Sequence, residues 1–138
     1  NINVYEDKVS FDNGFLISKS TYTTVNAGQT GIIYTFKQDF TRAAKVLVQV
    51  EGIEGLYDGD TNYRWQTQAA EMIIVRGGMT DTVNSSVYGV VYSGQGALAI
   101  LDAHWNSQLS VVEITATNLS STEQIHTNVV VLETMSFD

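Results

Sequence analysis

The stretch Lys45-Val46-Leu47-Val48-Gln49-Val50-Glu51 decides the fold class of this chain. Val46, Val48 and Val50 recur at every second position, with Lys45, Gln49 and Glu51 set between them. A period of two sends side chains alternately to the two faces of a β-strand, so one face here is apolar and the other mainly polar. Valine supports the same reading. Its branched Cβ packs well on a pleated surface and loses rotamer freedom in a helix.

Working outward, the pattern repeats along the chain. Thr67–Arg76 (TQAAEMIIVR) carries one conflict, because Ala69, Ala70, Glu71 and Met72 are adequate helix formers. The β-branched tail Ile73-Ile74-Val75 and the turn-forming pair Gly77-Gly78 favour a strand, which is the expectation. Val83–Ser93 follows, with Gly89 as a bulge or close-approach point. In Ala97–Trp105, Ala97, Ala99, Leu101, Ala103 and Trp105 alternate against Leu98, Ile100, Asp102 and His104. Leu109–Thr117 and Thr127–Thr134 are the last two strands expected. Upstream, Ile2–Tyr5, Phe15–Ser18, Thr21–Val25 and Gly31–Phe36 read as strands, the last two flanking a turn at Asn26-Ala27-Gly28-Gln29.

Roughly nine or ten short strands separated by polar turns imply an all-β fold, an antiparallel β-sandwich of jelly-roll character. The 138 residues suit a single sandwich domain over 1–138, with residues 1–10 free to act as an N-terminal arm. The chain contains no Pro. Edge strands must therefore be protected by charge, by bulges or by a neighbour's strand.

Composition narrows the function. The net charge is −8, and the seven basic residues never form a run, which argues against nucleic-acid binding. No Cys is present, so disulfides, thiolate metal sites and a Cys nucleophile are excluded. No segment approaches the roughly 18 apolar residues of a membrane-spanning helix, and no basic-then-apolar run reads as a secretion signal. Charged residues are only 16% of the chain, which suits a surface that subunits can cover without stripping water from many ions. A homo-oligomer is expected, with a trimer as its order.

Few residues invite chemistry. Asp102 shares a strand face with His104 and could hydrogen-bond its imidazole, yet no framed nucleophile accompanies the pair. His104 and His126 are expected to be structural. The stretch Asp58-Gly59-Asp60-Thr61-Asn62 resembles the start of a calcium loop, which makes Asp58, Asp60 and Asn62 weak metal candidates. The match fails where such a loop needs Gly and Glu, because Tyr63 and Ala69 stand there. A turn capped by its own Asp and Asn side chains is the expected reading, with no metal and no cofactor. Glu6, Asp7, Glu51, Glu54, Asp58 and Asp60 supply no recognisable pair for glycoside hydrolysis, so an enzyme is not expected. Tyr57, Tyr63 and Trp65 are the interface or ligand candidates, since such rings stack on sugars or anchor protein contacts.

One ordered series carries a resemblance. It runs through Trp65-Gln66-Thr67, Ala70–Val75, Val87–Tyr92, Ala97–Ala103, Gln108–Val111, Ala116-Thr117 and Val129–Leu132. The series, covering roughly Tyr63–Glu133, resembles a β-rich module of virion structural proteins from tailed phages, notably those infecting marine cyanobacteria. It departs from that pattern at Ala103-His104-Trp105, where a smaller polar turn would be expected. The resemblance implies a non-enzymatic part of a virion that assembles with itself and docks on a phage capsid or tail protein. A capsid decoration (cement) protein is favoured, because a fibre usually shows long repeats and this chain shows none. The alternatives are a tail or fibre appendage subunit, or a carbohydrate-binding module using the Tyr57–Trp65 loop.

Overall fold

A computed structural model describes residues 2–4, 8–11, 16–18, 21–36, 42–53, 65–77, 82–94 and 96–135. Eleven strands and no helix are found among them: β1 (Ile2–Val4), β2 (Lys8–Phe11), β3 (Leu16–Ser18), β4 (Thr21–Val25), β5 (Thr30–Thr35), β6 (Ala43–Ile53), β7 (Trp65–Arg76), β8 (Val83–Tyr92), β9 (Ala99–Asn106), β10 (Val111–Asn118) and β11 (Ile125–Met135). All pairings are antiparallel. A five-stranded sheet in the order β4-β11-β6-β7-β8 packs on a three-stranded sheet in the order β5-β10-β9. A small meander, β1-β2-β3, adjoins β11 through β3. Within the stretch open to acting as an arm, β1 pairs antiparallel with β2. The β2 strand itself was not legible in the sequence.

The core lies between the two larger sheets and draws on both. On β6, Val46, Val48 and Val50 are fully buried, and their neighbours across the sheet continue the layer as Met72 and Ala70 on β7 and Val129 and Val131 on β11. The opposite sheet contributes Ile33, Leu101, Ala103, Val112, Ile114 and Ala116. Thr67–Arg76 lies wholly within β7, so the helix-forming residues Ala69 to Met72 sit in a strand. Tertiary packing decides this, because Ala70, Met72 and Ile74 enter the core only with a period of two.

Two glycines are required by their backbone. Gly28 has φ +68° in the turn between β4 and β5, which Gln29 N–H closes by donating to the Asn26 carbonyl. Gly89 has φ +60° and creates the bulge foreseen for it: Gly89 and Val90 stand opposite Ala70, shifting register between Ala69 and Glu71. At Ala103-His104-Trp105 the chain stays in β9 and does not form the smaller turn of the phage pattern. The turn comes later, where Asn106 Oδ1 accepts from the N–H groups of Gln108 and Leu109.

Two buried amides tie the layers together. Gln68, on the core face of β7, accepts from Leu98 N–H (2.7 Å) and Ala99 N–H (3.2 Å) and donates to the Ala99 carbonyl (3.1 Å). It therefore fixes where the chain enters β9 in the other sheet. Asn118, at the end of β10, donates to the carbonyls of Val25 and Glu123 and accepts from Ser120 N–H. It holds the ends of β4 and β10 and the approach to β11. A cation–π contact, with the Arg76 guanidinium 4.4 Å from the Trp105 ring centroid, links β7 to β9.

The register of β6 makes a direct prediction. Val48→Asp would bury an unpaired carboxylate at a cost of several kcal/mol, about the whole stability of a small domain, and should unfold the chain. Gln49→Asp, on the outward face, should leave the midpoint of urea unfolding nearly unchanged. The opposite ranking would place the register one residue off.

Candidate functional site

The outer face of the five-stranded sheet gathers the candidate side chains. On β4, Val25 turns inward and Tyr22 and Thr24 turn outward, while on β11 Ile125, Thr127 and Val129 turn inward and His126 and Asn128 outward. The β4–β11 register sets Thr24 opposite His126 and Tyr22 opposite Asn128. Tyr22 then stacks on His126, with ring centroids 5.5 Å apart and planes 16° from parallel. Trp65, the first residue of β7, reaches across the end of the sheet to the same imidazole at 6.0 Å and 30°. The Thr24 hydroxyl lies 3.0 Å from His126 Nδ1 and orients the ring.

The result is a row of three rings, Tyr22–His126–Trp65, standing on a sheet surface. Its outer members are the exposed ones, Tyr22 at 62% and Trp65 at 61%. Polar groups border the row. Glu51 stands opposite His126 in the β6–β11 register and accepts a hydrogen bond from Gln49 Nε2, and Asn128 follows two residues along. Flat apolar rings beside amide and carboxylate groups suit a ligand with one apolar face and a polar rim. The arrangement is built to bind such a ligand across the sheet surface.

Of the sequence candidates, Trp65 belongs to this row. Tyr57, Asp58, Asp60, Asn62 and Tyr63 lie outside the described residues. No group of three or more His, Cys, Asp or Glu side chains close enough to hold a metal occurs among the described residues. Sequence reasoning missed Tyr22 and gave His126 only a structural role. The available signal was the alternation of Thr21–Val25, which sets Tyr22 outward, but nothing local showed that β4 would lie beside β11.

The other histidine is paired differently from expectation. His104 Nε2 lies 3.0 Å from Glu113 Oε1 across the β9–β10 ladder, and Asp102 instead accepts from Ala103 N–H. Glu113 is only 3% exposed, and Asn106 Nδ2 also donates to it at 3.3 Å. Direct cross-strand pairing brings His104 and Glu113 together, whereas side chains two apart on one strand lie farther from each other. The pair sits on the outer face of the three-stranded sheet, away from the aromatic row, and completes the hydrogen bonding of a buried carboxylate.

A charged cluster lies farther along the same outer face, opposite Leu47 and Ile73 in the β6–β7 register. Lys45 Nζ lies 3.7 Å from Glu71 Oε2, and Tyr88 shares the cluster. The Glu71 carboxylate, and then Tyr88, hold the Lys45 ammonium above its ordinary 10.5. Tyr88 is raised above 10.0, first by desolvation and then by its hydrogen bond to Glu71.

No family model matches the chain, and no curated protein matches it. Among solved structures, the tailspike protein of Acinetobacter phage vB_ApiP_P1 matches over 97% of this chain with a TM-score of 0.48 and 15% identity. The tailspike protein of Acinetobacter baumannii phage AM24 matches over 86% with a TM-score of 0.43 and 7% identity. The matched regions span 24% and 26% of those two chains. At these scores the likeness assigns neither a family nor an activity.

The shifts on Lys45 and Tyr88 share a sign. Both groups bind their protons more tightly in the folded chain than in the unfolded one. The stability they contribute is complete below pH 10.0 and is lost as pH rises through the raised folded values. Thermal midpoints measured from pH 9 to about pH 11.5 should therefore fall, and Glu71→Gln should flatten that fall. An identical alkaline profile in the variant would remove Glu71 as its cause.

Proposed function

We propose that this chain is a non-catalytic structural subunit of a tailed-phage particle, built into a tail or fibre appendage. The observation that carries the reading is the outer face of the five-stranded sheet. Leu47, Ile73, Val75 and Met135 are exposed there on adjacent strands, in a band that the Lys45–Glu71 pair crosses without adding net charge. An exposed apolar band on a sheet marks a surface that another protein covers. The resemblance to phage virion modules over Tyr63–Glu133 covers β7 to β10 and most of β11, which supply three of the five strands of this sheet and two of the three strands of the opposite one.

The appendage is preferred to capsid decoration on physical grounds. A cement protein needs only surfaces that bind the shell, whereas the exposed Tyr22 and Trp65 rings also suit a ligand outside the particle. The reading agrees in kind with the two tailspike structures without resting on them. Immunogold labelling of purified particles tests it. Gold on the tail or its fibres is the expected outcome, gold over the capsid faces restores the decoration reading, and unlabelled particles overturn both.

The same exposed rings favour a second reading, a saccharide-binding module that uses the Tyr22–His126–Trp65 row in place of the Tyr57–Trp65 loop alone. The C–H face of a pyranose stacks on such rings while Gln49, Glu51 and Asn128 meet its hydroxyls. On a glycan array the native chain should then give hits that Trp65→Ala abolishes without lowering the thermal midpoint. An array blank for the native chain ends this reading and leaves the assembly role standing.

A further inference from the structure

Strand β8 is the longest uncharged edge strand of the sandwich among the described residues, ten residues against five in β4 and six in β5. It is an edge of the five-stranded sheet, hydrogen-bonded to β7 on one side and paired with no strand on the other among the described residues. Its ten residues, Val83-Asn84-Ser85-Ser86-Val87-Tyr88-Gly89-Val90-Val91-Tyr92, include no charge and no Pro. Natural edge strands are usually shielded by Lys, Pro, bulges or brevity, because open N–H and C=O groups recruit other chains. The one such device here is the Gly89 bulge. It leaves Val83–Tyr88 in regular register against Arg76–Glu71, a straight run of six residues.

The side chains point the same way. Val87 and Val91 are both exposed, although Val87 pairs with core-facing Met72 and Val91 with outward-facing Ala69. The strand therefore shows apolar surface on both of its faces. That is uncommon for an edge left in water and ordinary for a strand inside a sheet.

The geometry points to β8 as a self-contact, in which the β8 edges of two copies pair antiparallel across a two-fold axis and the two five-stranded sheets become one of ten strands. Self-complementarity selects a second copy, because an uncharged edge with apolar groups on both faces is matched by the same strand run antiparallel, and charge selects the place where it binds. Each chain carries a net charge of −8, so two copies approach most easily over a surface without carboxylates. The edge Val83–Tyr92 is such a surface, and the nearest carboxylate on its outer face, Glu71, is matched by Lys45. Strand direction selects the symmetry. Neighbours in the sheet are all antiparallel, so β4, β6 and β8 run the same way. Joining β8 to the other edge, β4, of a next copy would continue the sheet in parallel pairing, the weaker arrangement, whereas β8 meets itself antiparallel. A two-fold pair is also the commonest closed assembly. This differs from the trimer expected from composition, which carries no information about symmetry.

The native chain has no Cys, so a single introduced thiol reports one contact. Ser86 is exposed on β8 and Ser121 is exposed in the segment before β11. With a short bis-maleimide, Ser86→Cys should give a covalent dimer, and Ser121→Cys at the same concentration should not. Light scattering of the native chain should give the mass of two 15.2 kDa chains. Asn84→Lys with Ser86→Lys, which gathers four like charges near the axis, should weaken dimerisation at least about tenfold. Circular dichroism of the double variant should stay native, and if it does not, the Ser86→Cys result decides alone. A native chain that stays monomeric to millimolar concentration, a three-chain mass, or a dimer with no Ser86 cross-link would each overturn the proposal.

Discussion

The fold depends on one constraint, the two-residue period of β6. Val46, Val48 and Val50 have no solvent exposure, and each lies between a buried residue of β7 and one of β11. Because the period is two, a slip of one residue would expose all three valines and bury Lys45, Leu47, Gln49 and Glu51. The penalty for burying those polar groups is far larger than the stability of a domain this size. One register survives, and β7 and β11 inherit it through their ladders. The outward faces of all three strands are fixed at the same time. The aromatic row, the Lys45–Glu71–Tyr88 cluster and the exposed apolar band are consequences of which residues the core does not take.

Holding the second sheet in place is a different problem, solved by polar groups inside the sandwich. Gln68 and Asn118 are buried amides whose partners are mostly backbone groups of segments that leave one sheet for the other. A buried amide without partners is costly, so each position tolerates only the chain path that satisfies it. The apolar core supplies most of the driving force, and these amides select the path at two crossings, the entry to β9 and the end of β10.

Much of the architecture was legible in the sequence because its strands are half-buried and alternate cleanly. Thr21–Val25 was read with its observed limits, and Gly89 announced its bulge by being the one residue in Val83–Tyr92 that adopts a positive φ without strain. Lys8–Phe11 was missed because four residues carry too few alternations to show a period. The site was less legible than the fold. Trp65 could be singled out by type, but Tyr22 and His126 lie about a hundred residues apart and become neighbours only through the β4–β11 ladder. Glu113 was hidden for the same reason. Reading along β9 suggested Asp102 for His104, and the true partner came from the next strand. Periodicity reports which face a residue takes, and pairing decides what it meets there.

The central claim, that β6 is the strand on which the remainder is organised, is tested most directly by amide hydrogen exchange followed strand by strand in dilute solution. The account predicts the slowest exchange in Val46–Val50 and in the residues of β7 and β11 paired with them, at rates set by global unfolding. Edge strands β4 and β8 should exchange faster through local opening. Exchange in β6 as rapid as in β4, with protection concentrated in the three-stranded sheet, would contradict it.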